Sequence, residues 1–436
     1  MDRVVSGSHP RLELVWPGKD QFLLTPTGDD GKPVWVEPDH PAAHEVRLTE
    51  FTDGHGEVDK ADPYADNLVF TGDSLDVLRV LCEVPEYRQH YRGKVKLIYI
   101  DPPFNTGQTF AHYDDWMEHS TWLSFMRDRL LLMKQLLASD GSIWVHLDDA
   151  EVHRMRCLLD EVFGTQAFIA TIIWQKRYSR ENRPAVSVSH DYLLCYSLSP
   201  ARWKGIRNLL PIDDKTRSQY RNPNNDPRGP WRTVAMNAMG YRPNQMYDIV
   251  APSGNVKRPP AGSCWKYVPE TYQRLLDEGR IYFGRDGDSQ PSVIRYLDEV
   301  PGLVPTTWWP HEEVSNTDAA KRETQRMSGS SGAFDTPKPE RLIQRVIHIA
   351  SNPKDIVVDL FGGSGTTAAV AQKMGRRWLT AELSLETVAK FIVPRLTKVV
   401  DGDDPGGISK DVGWEGGGGF RTVTVGPSMY EVRGAT

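Results

Sequence analysis

Short apolar runs alternate along this chain with stretches whose apolar residues recur every three or four positions. The first run covers residues 68–71. It is followed by the turn Gly72-Asp73-Ser74, with Ser74 placed as a helix N-cap, and by Leu75, Leu78 and Leu81 at helical spacing. Residues 95–100 (VKLIYI) are almost continuously apolar, the pattern of a strand buried on both faces of a parallel sheet. A helix with Trp122, Phe125, Met126, Leu130, Met133 and Leu137 on its apolar face comes next. Then follow a turn at Asp140-Gly141, a buried strand over 142–147, a helix over 150–163 and strands over 168–174 and 190–197. After a long interruption the rhythm resumes: a helix over 339–350, a strand over 356–360, a Gly-rich turn, a helix over 366–374, a strand over 378–382 and a helix to about residue 400. Strand and helix in this succession predict a doubly wound α/β fold.

The interruptions predict the organisation. Residues 1–65, rich in Pro, Gly, Asp and His, read as an irregular N-terminal arm with a short strand over 11–15. Residues 66–200 and 331–425 read as two halves of one α/β domain, and 426–436 as a tail. Between the halves, residues 201–330 carry many prolines and aromatics and the turn cluster Asn222-Pro223-Asn224-Asn225-Asp226-Pro227-Arg228-Gly229-Pro230, the signature of an inserted lobe. Residues 420–425 read as an edge strand.

Composition narrows the chemistry. No apolar run reaches the ~18 residues a membrane helix needs, and the first residues lack the basic and apolar segments of a secretory signal, so a cytoplasmic protein is expected. Cys82, Cys157, Cys195 and Cys264 form no C-x-x-C pair, which argues against structural zinc and against a disulfide framework; no metal is expected. None follows a proline, so the Pro-Cys nucleophile of cytosine-C5 methylation is missing. The net charge of −6 argues against a non-specific nucleic-acid coat. Between Lys176 and Arg232, however, roughly a dozen Lys and Arg face about five Asp and Glu, and local charge governs phosphate contact.

Two segments carry candidate chemistry. Asp359-Leu360-Phe361-Gly362-Gly363-Ser364-Gly365-Thr366-Thr367 joins a strand to a helix, where glycines let backbone approach a ligand and the helix N-terminus offers N–H groups. Glu382 ends the next strand, about 20 residues on, the spacing of a ribose-binding acid. Gly363 and Gly365 are followed by Ala368 where G-x-G-x-x-G needs glycine, and no Gly-Lys-Ser/Thr follows, so a dinucleotide site is disfavoured and a P-loop excluded. A nucleoside cofactor fits better; a plain tight turn is the competing account. The second segment, Asp101-Pro102-Pro103-Phe104, ends the buried strand over 95–100, at the sheet edge where open α/β folds bind ligands. Its prolines stiffen the backbone and remove N–H donors, leaving a carboxylate and a proline carbonyl as acceptors beside the Phe104 ring. Such a site suits an aromatic amine, whose two N–H groups those acceptors would grip. In isolation, a Pro-stiffened turn accounts for the tetrapeptide equally well.

Together these segments resemble the β-class amino-methyltransferases of DNA, especially adenine-specific Mod subunits of type III restriction systems. The resemblance runs over about 67–425 and rests on GDSLDVL (72–78), KVKLIYIDPPFNTG (94–107), DGSIWVHLDD (140–149), FDTPKPERLI (334–343), DLFGGSGTTAAVA (359–371), RRWLTAEL (376–383) and GGGGF (416–420), in circularly permuted order. It implies S-adenosylmethionine as cofactor, a mostly parallel sheet with an antiparallel strand, and methyl transfer to N6 of a flipped adenine by Asp101, Pro102, Pro103 and Phe104. It further implies cofactor contacts from Asp359, Phe361, Gly363, Gly365, Thr366 and Glu382, and from Phe334, Asp335, Thr336 and Lys338, which would close over the methionine end. A solvated lysine is the plain alternative for Lys338. Asp73 matches a residue near the cofactor adenine, and a helix-capping turn explains it as well. Trp174 and Lys176 match the strand backing the target base, with a core Trp and a surface Lys as the alternative. Asn105 and the lobe residues Arg228, Trp231, Arg232, Tyr241 and Arg242 are the expected DNA contacts, each explained equally by a solvated face. Double-stranded DNA is the implied partner, with a homodimer and a restriction or defence subunit as further partners. N4-cytosine methylation, and a catalytically silent recognition subunit, stay open as alternatives.

Overall fold

The structure is a computed structural model, and it describes residues 13–24, 34–106, 117–182, 184–328 and 334–430. The two chain segments 1–208 and 306–436 form one unit, and residues 209–305 form another, narrower than the lobe read from sequence.

The apolar runs become the middle of a ten-stranded sheet. In chain order its strands are β1 (Thr49–Gly56), β2 (Asn67–Thr71), β3 (Val95–Ile100), β4 (Leu137–Leu147), β5 (Phe168–Gln175), β6 (His190–Ser197), β7 (Trp308–Trp309), β8 (Ile356–Asp359), β9 (Arg377–Glu382) and β10 (Gly419–Val425). Across the sheet they lie in the order β7-β5-β6-β4-β3-β8-β9-β2-β10-β1. Pairing is parallel except that β6 runs antiparallel to both β4 and β5, and β1 antiparallel to β10. This is the Rossmann-like, mostly parallel sheet that the sequence predicts.

Solvent-free burial explains the runs. Leu68, Val69 and Phe70 of β2, Leu97, Ile98 and Ile100 of β3, and Ile143, Val145 and Leu147 of β4 are all inaccessible. Each such side chain contributes about 1.5–3 kcal/mol on leaving water. The helices pack in two groups. One holds α1 (Ser74–Glu83), α2 (His119–Leu136) and α3 (Val152–Phe163). The other holds α4 (Thr317–Ser328), α5 (Glu340–Ala350), α6 (Thr366–Lys373) and α7 (Val393–Asp401).

Two expectations need correction. The N-terminal arm is not merely irregular: residues 13–15, the described part of the strand expected over 11–15, are not a strand, but β1 from the same arm is the sheet's outer edge. Consequently β10 is not an edge strand; β2 and β1 flank it. The sequence of β1, TEFTDGHG, hides this role because only Phe51 in it is a large apolar residue; ladder bonds hold it together with Phe51 against Tyr64 and Tyr87 and His55 stacked on Phe420.

The position of the site follows from the order. The chain leaves β8 toward β9 and leaves β3 toward β4, in opposite directions across the sheet, while β3 and β8 are hydrogen-bonded neighbours. Ligands of open α/β sheets occupy the crevice at such a switch point, beyond the carboxyl ends of the strands. Residue 101 follows β3, and the glycine turn follows β8.

The 209–305 unit has its own core of Met236, Ile249, Ala251, Trp265, Tyr272, Leu275, Phe283 and Val293. Around it lie a three-stranded antiparallel sheet, in which Ser292–Tyr296 is central, and two short strand pairs.

Candidate active site: two pockets meeting at Asp101

Two cavities open at the switch point, and Asp101, Thr336, Pro337 and Lys338 line both. The first, about 190 Å3, is otherwise walled by Pro102 and Phe104, by Trp174, Lys176 and Arg177, and by Asp191. The second lies against Asp359, Phe361, Gly363 and Thr366, with Tyr99 and Phe334 opposite.

The second pocket is shaped by its glycines. Gly363 and Gly365 have φ of 50° and 74°, which a side chain would strain, and a Cβ at Gly362 would meet Thr380 Oγ1 at 2.6 Å. Asp359 ties the turn together, accepting from the Phe361 N–H (3.0 Å) and from the Thr367 hydroxyl. Glu382 accepts from the Gly363 N–H at 2.9 Å, so the expected ribose acid does face the turn. Phe334 is buried edge-on against Phe391. Burial, aided by the nearby Asp101 and Glu382 charges, raises the Asp359 carboxyl to about 8 against the opposing hydrogen bonds. A buried acid poised this way favours a cationic ligand. The glycine cradle, the paired acids and the aromatic wall therefore fit the nucleoside sulfonium S-adenosylmethionine. A direct consequence is that binding of S-adenosylmethionine should release protons near neutral pH. Below pH 8 the Asp359 carboxyl is protonated and must lose its proton to pair with the cation, so affinity should fall with pH by up to about tenfold per unit. Calorimetry in buffers of different ionisation enthalpy measures this. Asp359→Asn should abolish the proton release, and buffer-independent enthalpies in the native protein would contradict the pairing.

A buried network anchors the same turn from behind. Arg395 donates to the Thr366 hydroxyl (2.8 Å), the Ser364 carbonyl (3.2 Å) and Glu340 (2.8 Å). Glu340 also binds Lys373, which in turn binds Asp404. Thr366 was expected from the sequence, whereas Arg395, Glu340, Lys373 and Asp404 were not.

In the first pocket, Asp101 Oδ2 accepts from Lys338 Nζ at 2.6 Å, whereas Oδ1 is buried with no hydrogen-bond partner among the described residues. Lys338 is thus no solvated lysine; its Nζ also lies 5.0 Å from the Phe104 centroid. The Pro103 carbonyl accepts from Trp122 Nε1 at 2.8 Å. Trp174 is fully buried, donates to the Ser315 carbonyl and forms part of the wall, and Lys176 is paired with Asp191 at 2.6 Å.

Other expected site residues are occupied differently. Asn105, expected at DNA, is buried with φ of 61°; its amide donates to Glu151 (2.7 Å) and accepts from the Met117 N–H (2.6 Å). Asp73 caps α1 through the Leu75 N–H and pairs with both oxygens to Arg129 at 2.8 Å. Arg129 lies 3.5 Å over the Phe125 ring, which in turn packs on Phe361. In the 209–305 unit, Arg228 pairs with Asp226 and donates to the Glu278 carbonyl while 43% of its side chain stays exposed. Trp231 donates to Asn224 and Arg232 to Gln219, while Arg242 reaches Gln245 and Tyr241 is exposed. Asp335 and Thr336 lie in the segment leading to Lys338, and Thr336 lines both pockets.

Among the described residues there is no cluster able to hold a metal ion, and no helix long and apolar enough to cross a membrane.

A family model described as a DNA methylase, and named for N6 and N4 transfer, matches residues 95–392. The chain is similar to the Mod subunit of the type III restriction-modification enzyme StyLTI of Salmonella typhimurium, at 32% identity over 339 residues, covering 69% of this chain and 49% of that one. It is 32% identical over 312 residues to the type II methyltransferase M.EcaI of Enterobacter cloacae, covering 69% and 64%. A stretch of 53 residues is 49% identical to the DNA adenine methyltransferase YhdJ of Escherichia coli, covering 12% and 18%. The chain thus spans 49% and 64% of the lengths of the first two relatives.

Proposed function

The chain belongs to the DNA methylase family, and from that premise we propose that it transfers a methyl group from S-adenosylmethionine to the exocyclic N6 amino group of adenine in double-stranded DNA. The observation that carries the proposal is Asp101 Oδ1, a buried acceptor with no partner among the described residues, on the wall common to both pockets.

When bound, S-adenosylmethionine supplies an activated methyl group. Everything else falls to the protein. The amino nitrogen of a nucleobase shares its lone pair with the ring and is a poor nucleophile. Asp101 Oδ1 and the Pro102 carbonyl accept its two hydrogens and favour a pyramidal nitrogen with the lone pair aimed at the second pocket. Lys338 fixes the carboxylate's orientation from its other oxygen. Preorganised acceptors of this kind act through position and electrostatics, with no covalent intermediate. After transfer the nitrogen carries one proton too many, and Asp101 Oδ1 is the atom placed to take it. The base must leave the duplex to reach this site, at a cost of a few kcal/mol. Stacking on Phe104 offsets roughly 1–3 kcal/mol of that.

Adenine is favoured by aspartate rather than serine at position 101 and by the stretch similar to an adenine methyltransferase. The Mod relatives extend the proposal to a place within a restriction-modification system. Arg228, Trp231, Arg232, Tyr241 and Arg242 in the 209–305 unit are the proposed DNA contacts there. Digesting treated DNA to nucleosides and measuring them by mass spectrometry tests the base: N6-methyladenine is expected, and N4-methylcytosine in its place would transfer the same chemistry to the other base.

A further inference from the structure

His146 lies beneath the first pocket, fully buried, and none of the roles assigned above uses it. Its ring is near-parallel to Phe104 (centroids 5.9 Å, 29°) and perpendicular to Trp174 (5.4 Å, 90°). Nδ1 is 2.8 Å from the Tyr99 hydroxyl, and Nε2 lies 3.4 Å from Asp191 Oδ2 without closing a hydrogen bond. Tyr99, His146, Asp191 and Trp174 stand on β3, β4, β6 and β5, four successive strands of the sheet. Tyr99 lines the second pocket, while Phe104, Trp174 and Asp191 line the first.

We propose that His146 is a positioning residue for methyl transfer: its imidazole holds Phe104 and Trp174 as the walls of the base pocket and ties them to Tyr99 in the donor pocket. The proposal rests on the methyltransferase reading above and adds to it a residue that touches neither substrate. Burial pushes the Tyr99 hydroxyl far above its ordinary range, so it stays a donor and directs its proton to Nδ1. The imidazole's own proton then resides on Nε2, facing Asp191, whose other oxygen Lys176 holds. Nδ1 thereby accepts from Tyr99 while Nε2 faces the Asp191 carboxylate at 3.4 Å, and the ring plane beside Phe104 is set. Burial also keeps the imidazole below its usual value, in the neutral form this arrangement needs. With the ring fixed, Phe104 presents one orientation to an incoming base, and the reacting nitrogen meets Asp101 at the correct height.

The test uses the full chain, tritiated S-adenosylmethionine and unmodified genomic DNA amplified in vitro. His146→Leu removes the ring and both contacts, whereas His146→Asn keeps a polar group toward Tyr99. The leucine variant should lose tenfold or more in kcat while its dissociation constant for S-adenosylmethionine, by calorimetry, stays within twofold; asparagine should recover part of the loss. Tyr99→Phe should lower kcat less, and adding it to His146→Leu should cost nothing further. A leucine variant within twofold of the native kcat, or losses that multiply in the double variant, would overturn the proposal. If the native protein labels no DNA, the methyltransferase reading fails instead. The positioning claim is then read from 4-fluorophenylalanine-labelled protein, with the Phe104 signal assigned by its loss in Phe104→Leu. That 19F resonance should shift or broaden in His146→Leu, and an unchanged resonance would refute the role.

Discussion

Asp101→Ala is expected to lower methyl incorporation into DNA by about a hundred- to a thousandfold, the usual cost of removing one preorganised group from a reacting centre. The loss should appear in kcat, because the methyl donor's pocket keeps Asp359, the glycine turn and Glu382 intact. Asp101→Asn should retain part of the activity if its amide oxygen takes the place of Oδ1, but its second position can no longer accept from Lys338. Both variants leave the Lys338 ammonium, only 10% exposed, without its anion. Lys338→Met in the Asp101→Ala background should therefore relieve any fall in melting temperature without restoring transfer. Steady-state kinetics with tritiated donor, paired with thermal melts, separate the two effects. An alanine variant with native kcat would remove Asp101 from the chemistry.

Glu340→Ala carries the largest expected effect on stability. Glu340 is 1% exposed and accepts from Lys373, Arg395 and the Ile408 N–H. Removing it strands the buried Arg395 and leaves Lys373 with Asp404 alone, and breaking a buried pair in this way costs about 3–5 kcal/mol. Urea unfolding should show that loss. Because Arg395 reaches from Glu340 to the Thr366 hydroxyl and the Ser364 carbonyl, affinity for S-adenosylmethionine should fall as well. An unfolding midpoint unchanged from the native protein would show that water or rearrangement satisfies the cations. Replacing the whole network by apolar residues is a different experiment, since a buried ion network is often no more stabilising than a well-packed apolar one.

How far the sequence discloses this architecture depends on what kind of interaction holds each part. The strands on either side of the switch point announce themselves because burial on both faces demands unbroken apolar runs, as in VKLIYI. The glycine turn is legible because the close approach of Thr380 to Gly362 and the positive φ of Gly363 and Gly365 admit little else. Pairings across long chain separations leave no such mark. Lys338 and Asp101 are 237 positions apart, and a lone lysine after two turn residues reads as solvated. Glu340 opens a helix and Lys373 ends one, the places where surface helices ordinarily carry an acid and a base, so their joint burial is invisible until the two helices pack. His146 sits in a buried strand as an apparently ordinary core residue. Asn105 and Arg228 show the same limit from the other side: each has the chemistry of a DNA contact, and the hydrogen bonds each also makes within its own chain leave no mark in the sequence.

Long-read sequencing of DNA from cells expressing the protein tests the central claim most directly, with Asp101→Ala as the control. Methylated adenines at one recurrent sequence, absent from the control, are the predicted result. No methylated base in either sample, from a protein shown to bind both S-adenosylmethionine and DNA, would contradict it.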